Sequence, residues 1–460
     1  MSDWLDAEGH ADRALEMFER GRWAEAESEL RKAISLNPDQ AEWHYNLGLT
    51  IEASGRDAEA LACFARTAEM MPDAVEPLLA AGGAAQRLTN WADAIKWMDR
   101  ALALEFRSEA AYAGKIEGLA RLERHDEAET VFYLAQQALD APSGLCLASV
   151  ARSLIERESW ERAAWCLREA LRIDPSIPRL RAMLAFVLAA RGHRQRAVQL
   201  YLRELREDPG NIDTLLDYGE LLVDMGRFSE AAEKFRRVLE LEPANVEAHE
   251  RLGWIATEQG NLEQAHLEYE LVLKLDPEFP GIRQSLAESM MARGLKGPAR
   301  QSLREEFDAW MQETADATSA PPPDPDALDR FARLLLDAEL PDEAARLLEA
   351  GGAATSDQPQ VLRRLALARF RRGDIDGGCA AARRVLRHDP TCIASMHNLA
   401  LSALNVGQLP VAAGWISRGL QTDRQDLGLR RLRMRLLIAS AGGWLRTSIG
   451  RWRTRQTRGA

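Results

Sequence analysis

The chain has 460 residues, 46% of them hydrophobic, with few aromatics, five cysteines and a formal net charge of -12. That apolar fraction is enough for a sizeable core and excludes a disordered chain, and the acidic balance argues against a general nucleic-acid binder. Abundant Ala, Leu, Glu and Arg, with no alternating strand pattern, predict an all-α fold.

The N-terminus, Met1 to Asp6, carries no basic region or long apolar run. No later segment reaches the roughly 18 apolar residues of a membrane span, so a cytoplasmic location is expected. Cys63, Cys146, Cys166, Cys379 and Cys392 are odd in number and contain no C-x-x-C pair. They read as reduced, mostly buried residues, with no zinc site and no cofactor implied.

A 34-residue period runs along the chain, with repeats starting at 7, 41, 75, 109, 144, 178, 212, 246 and 280, then at 325, 359 and 393. Position 20 of the repeat is always small: Ala26, Ala60, Ala94, Ala128, Ala163, Ala197, Ala231, Ala265, Ala299, Ala344, Gly378 and Ala412. Position 8 is small in all but one repeat, with Ile116 as the exception. Small residues at both places let two helices approach closely. Position 15 is Gly in eight repeats, for example Gly21, Gly55, Gly226 and Gly407, and suits a left-handed helix end. Position 32 is Pro in seven, including Pro38, Pro243 and Pro390, and stops the second helix. Isolated helices shorter than about 12 to 15 residues are marginal in water, so the hairpins must stack to share one core.

With its small-large pattern, in repeats such as 41–74 and 212–245, the chain resembles a tetratricopeptide repeat protein over nearly its whole length. The resemblance implies an α-solenoid, a superhelix of helical hairpins. The fourth repeat, without the Gly turn or the terminal Pro, and the tenth, running into Gly351 and Gly352, depart most from the pattern and are candidates for local distortion.

In chain order the organisation reads as nine repeats (1–313), a Pro-rich linker (314–324, with Pro321, Pro322 and Pro323), three repeats (325–426), and a capping helix with an Arg-rich tail (427–460). The linker fits either a hinge between two blocks or a surface loop within one superhelix. Leu429, Leu432 and Leu436 share one helical face, as a cap requires. Residues 427–460 hold nine Arg and no acidic residue.

The resemblance also implies that positions 2, 5, 6, 9, 12 and 13 line a concave groove. Repeats 7 and 8 put Asp213, Asp217, Glu220, Asp224, Glu247, Glu250 and Glu258 there, with Trp254 as a large aromatic. Such dense carboxylates favour a cation, and these residues are candidates for binding a partner. Glu8, Asp12, Glu42, Tyr45 and Asn46 form a second acidic patch, and Arg363, Arg364 and Phe370 a basic one. Some co-chaperones of the family grip a C-terminal carboxylate with Lys, Asn and Arg at set positions. Here those positions hold Ala11, Leu15, Asn46, Glu76 and Ala80, so only Asn46 matches and no such clamp is expected. His10 and His44 share position 4 and read as a stacked structural pair rather than a metal site.

No phosphate loop, nucleophile elbow or metal-ligand spacing is present, so no enzyme activity and no small-molecule substrate are expected. The leading expectation is a protein-interaction scaffold whose partners are basic or amphipathic segments of other proteins. The alternative is an adaptor for RNA or anionic membrane surfaces acting through the tail, with Arg446, Arg451, Trp452 and Arg453.

Overall fold

The computed structural model describes residues 2–316, 324–352 and 358–440. Among them every regular element is a helix, and the helices pair into twelve hairpins and a final single helix. Two compact units divide the chain, Met1–Leu241 and Glu242–Ala460.

The N-terminal unit holds seven hairpins. The first four are Ser2–Glu19 (α1) with Trp23–Leu36 (α2), Ala41–Ala53 (α3) with Asp57–Met70 (α4), Glu76–Arg87 (α5) with Trp91–Leu104 (α6), and Glu109–Arg121 (α7) with His125–Ala138 (α8). Gly144–Glu156 (α9) with Trp160–Ile173 (α10), Leu180–Ala190 (α11) with Arg194–Glu207 (α12), and Ile212–Asp224 (α13) with Phe228–Leu241 (α14) follow. In the C-terminal unit Val246–Glu258 (α15) pairs with Leu262–Leu275 (α16), Ile282–Ala292 (α17) with Lys296–Asp316 (α18), and Pro325–Asp337 (α19) with Pro341–Ala350 (α20). Pro359–Arg372 (α21) with Ile375–His388 (α22), and Ile393–Asn405 (α23) with Leu409–Thr422 (α24), complete it, followed by residues 427–440 (α25). Each unit is an α-solenoid of stacked hairpins.

All twelve turns within the hairpins share one geometry. The N–H at position 16 donates to the carbonyl at position 11 in every repeat, at 2.8–3.2 Å, and this bond requires position 15 to be left-handed. The eight glycines there comply, with φ between 70° and 91°. So do Thr89 (φ 56°), Glu123 (58°), Glu158 (54°) and Glu339 (62°), which have a Cβ to accommodate. The fourth repeat therefore keeps its turn without glycine, because the shared hydrogen bond and the packing of both helices outweigh the local strain.

The spacing rules of the sequence become packing rules in the core. The eleven alanines at position 20 are fully buried, and Gly378 is buried with them. Position 8 lies under the large residue of position 24: a Cβ added to Gly219 would stand 2.6 Å from Phe235 Cζ, and one on Gly253 2.6 Å from Tyr269 Cε1. Tight contact of this kind is what brings two short helices close enough to exclude water. Ile116 fills the same place in the fourth repeat and is itself fully buried.

Successive hairpins are joined at the proline. His44 Nε2 hydrogen-bonds the Pro38 carbonyl at 2.9 Å, His249 Nε2 that of Pro243 at 3.1 Å, and Arg283 Nη1 donates to that of Pro277 at 2.8 Å. His10 takes a different partner, Glu29, at 2.6 Å. The two expected stacking partners, His10 and His44, thus each hold a neighbour of their own.

Two departures concern the ninth and tenth repeats. Helix α18 has 21 residues against the usual 14 of a second helix and runs through Asp316, past the expected start of the linker at 314. Asp324 caps α19 through its side chain, and residues 317–323 lie outside the described part. Helix α20 has ten residues and stops at Ala350, with Gly352 left-handed after it. One core extends from Ala287, Leu303 and Phe307 through Leu328 and Phe331 to Leu399, all in the C-terminal unit. At its end Leu429 and Leu432 of α25 bury themselves with Ala400 and Ile416, and Leu436 packs beside them. The tail residues Trp444, Arg446, Arg451, Trp452 and Arg453 lie outside the described residues.

Candidate functional site

Side chains at positions 2, 5, 6, 9, 12 and 13 of the first helices are mostly left exposed or half-buried, whereas positions 8 and 20 are consumed by packing. In repeats 1 and 2, Asp12 and Glu42 are exposed, and Glu8, Tyr45 and Asn46 are half-buried. Tyr45 lies against Phe64 with ring centroids 5.6 Å apart. Burial, and then the charges of Glu76 and Glu52, push its hydroxyl above the usual tyrosine range. Arg87 of the third repeat is an ion-pair partner of both Glu52 and Asp57. Ala11, Leu15, Phe18, Asn46 and Leu49 line a slot of about 100 Å³ between α1 and α3.

The acidic residues of repeats 7 and 8 fall in both compact units. On α13, in the N-terminal unit, Asp213 and Asp217 are drawn together by Arg179, whose guanidinium reaches their carboxylates at 2.7 and 3.2 Å. Arg179 stands one repeat before Asp213, at the left-handed cap of α11 (φ 64°). Glu220 is half-buried on the same helix, and Asp224 is exposed at its end. On α15, in the C-terminal unit, Glu247 and Glu258 are exposed, while Glu250 and Trp254 are half-buried. Burial raises the Glu250 carboxyl, adjacent Arg251 at 3.4 Å opposes the shift, and Glu247 adds to it.

The basic patch divides by role. Arg364 forms a two-pronged pair with Asp329, both contacts at 2.9 Å, and Phe370 packs over Gly378. Arg371 donates to the Leu336 carbonyl at 2.7 Å, closing the C-terminal end of α19. Arg363 remains exposed and lines a depression with Gln360, His397 and Asn398.

A family model described as tetratricopeptide repeat matches residues 151–212 and 216–280, and one described as TPR repeat matches residues 14–55. The matched segments lie in the first and second hairpins and in the fifth to the eighth. The chain is a tetratricopeptide repeat protein. Comparison with curated proteins returns no match. Among solved structures the chain is similar to yeast Tom70, at 15% identity over 98% of this chain and 99% of that one, with a TM-score of 0.39. It is also similar to a tetratricopeptide repeat protein of Parabacteroides merdae, at 16% identity over 56% and 97%, with a TM-score of 0.38. YrrB, described as a TPR protein with an unusual peptide-binding site, matches at 20% identity over 40% and 95%, with a TM-score of 0.30.

In this tetratricopeptide repeat protein, no group of three or more His, Cys, Asp or Glu suited to a metal ion occurs among the described residues. No described helix is long and apolar enough to cross a membrane. Cys146, Cys166 and Cys392 are buried, and burial pushes the first two thiols up to about 11. Sequence reasoning missed Arg179, Arg87 and the slot residue Leu49, and it read Leu15 only as a mismatch to the carboxylate clamp. The repeat spacing held the signal for Arg179, because position 2 of one first helix neighbours position 2 of the next.

Proposed function

We propose that this protein is a non-catalytic scaffold holding segments of other proteins against the first-helix faces of its hairpins. One observation carries the reading. The interior positions repeat the same chemistry twelve times, whereas the positions on those faces change from repeat to repeat and are mostly accessible. Variation on a regular frame is what selects one partner over another.

The charges define what each face favours. On α13, exposed Asp224 with half-buried Glu220 suits Lys or Arg, and on α15 Glu247, Glu250 and Glu258 with Trp254 suit Lys or Arg and an apolar side chain of a basic or amphipathic segment. Arg179 already offsets Asp213 and Asp217, so those two contribute less than their number suggests. Arg363 serves an acidic group instead.

A photo-crosslinking residue placed at Asp224 or Arg363, on first helices, is compared in whole cells with one at Glu233 or Arg383, on second helices. Partner peptides identified by mass spectrometry are expected from the first-helix positions. Capture confined to the second-helix positions, or none at any of the four, sinks the reading.

A further inference from the structure

The first three hairpins carry a combination found on no other first-helix face described above: an apolar slot among carboxylates most of which have no ion-pair partner among the described residues. Leu15 is 57% exposed at the mouth of that slot. Ala11, Phe18 and Leu49 form its walls, and the Asn46 side-chain amide stands at its edge with no hydrogen-bond partner among the described residues. Around it lie Glu8, Asp12, Glu19, Glu42 and Glu76, none in an ion pair among the described residues. The single cation on these faces, Arg87, is taken up by Glu52 and Asp57.

We propose that this face binds a basic segment of a partner protein, with one Leu- or Ile-sized side chain in the slot and flanking Lys or Arg paired to the carboxylates. The proposal rests on the scaffold reading and names the class of segment that one of its faces takes. Charge complementarity selects the occupant. An acidic segment meets uncompensated repulsion, and a purely apolar one leaves the carboxylates without cations. The Asn46 amide adds a donor and an acceptor for the backbone of the bound segment.

Binding to the full-length protein is measured by fluorescence anisotropy with a short labelled peptide of Lys and Leu in a Gly-Ser background. Two further probes replace its Leu by Ser or its Lys by Glu. The Lys-Leu probe should bind, the Lys-Ser probe about tenfold more weakly, and the Glu-Leu probe not at all. Asp12→Lys with Glu42→Lys should weaken the Lys-Leu probe about tenfold, and raised salt should do the same. Leu15→Ser should bring Lys-Leu binding down to the Lys-Ser level with an unchanged melting curve. Reversal of Glu233 and Glu240 on α14 controls for net charge and should change nothing.

Equal binding of the Lys-Leu and Lys-Ser probes overturns the slot. Indifference to Asp12 and Glu42, together with loss on reversing Glu247 and Glu258, overturns this site while leaving the scaffold reading intact. Crosslinking that captures no partner on any first helix removes both.

Discussion

Four residues take a backbone conformation that their side chains disfavour. Thr89, Glu123, Glu158 and Glu339 are left-handed at position 15, where an L-residue costs about 1 to 2 kcal/mol and glycine nothing of that kind. Thr89 is β-branched and exposed, so Thr89→Gly should stabilise the protein by about 0.5 to 1 kcal/mol once the greater freedom of glycine in the unfolded chain is counted. Glu339→Gly should gain less, since Glu339 pairs with Arg300 and Lys296. Urea unfolding of both variants checks the order, and a Thr89→Gly protein less stable than wild type contradicts the argument.

A second effect at this scale depends on pH. Lys32, then His10 and Arg13, hold Glu29 well below the usual carboxylate value of 4.5, at about 2. A carboxyl depressed in the folded state contributes stability that is complete above its unfolded value and is lost as pH falls toward the folded one. Glu29→Gln should therefore cost about 1 to 3 kcal/mol at neutral pH. The difference from wild type should shrink between pH 4.5 and about 2. Hydrogen exchange in α1 and α2 as a function of pH measures it, and a pH-independent difference refutes the assignment.

For the elements, the close approach of two helices is what the small residues maintain. Ala231 is fully buried between α13 and α14, so Ala231→Leu should destabilise the hairpin by about 1 to 3 kcal/mol. An unchanged thermal melt would place Ala231 outside that contact. The pattern behind the prediction was legible in the sequence because helices of fixed pitch, stacked in register, bury the same two positions every 34 residues. Helix lengths were less legible. Helix α18 outruns its neighbours and α20 falls short of them, and both adjustments serve the core around Phe307, Leu328 and Phe331, which brings distant residues together.

On the scale of the whole molecule, that same core bears on the stretch between the ninth and tenth repeats. Leu303 and Phe307 of α18 are buried with Leu328 and Phe331 of α19, and each such side chain contributes about 1.5 to 3 kcal/mol. Arg300 donates to the Ala338 carbonyl at 2.6 Å, and Arg304 pairs with Glu343 at 3.0 Å. We therefore expect that cleavage at a protease site inserted within residues 317–323 leaves the two pieces associated. Size-exclusion chromatography of the cleaved protein tests this. Separate elution would make repeats 10 to 12 an independent arm.

The sequence by itself determined the period, the twelve hairpins, the buried small positions, the proline stops and the capping face of α25. These follow from local geometry repeated in register, so one dimension suffices to read them. Only the tertiary structure decided that Thr89 and three glutamates adopt the turn of glycine, because the bond from position 16 to position 11 overrides their preference. It also decided which charges are spent. Arg179 reaches Asp213 and Asp217 from the preceding hairpin, Asp329 takes Arg364, and Arg87 takes Glu52, whereas Glu8, Asp12, Glu19, Glu42 and Glu76 have no ion-pair partner among the described residues. Long side chains choose partners by reach across neighbouring helices, and composition cannot record reach.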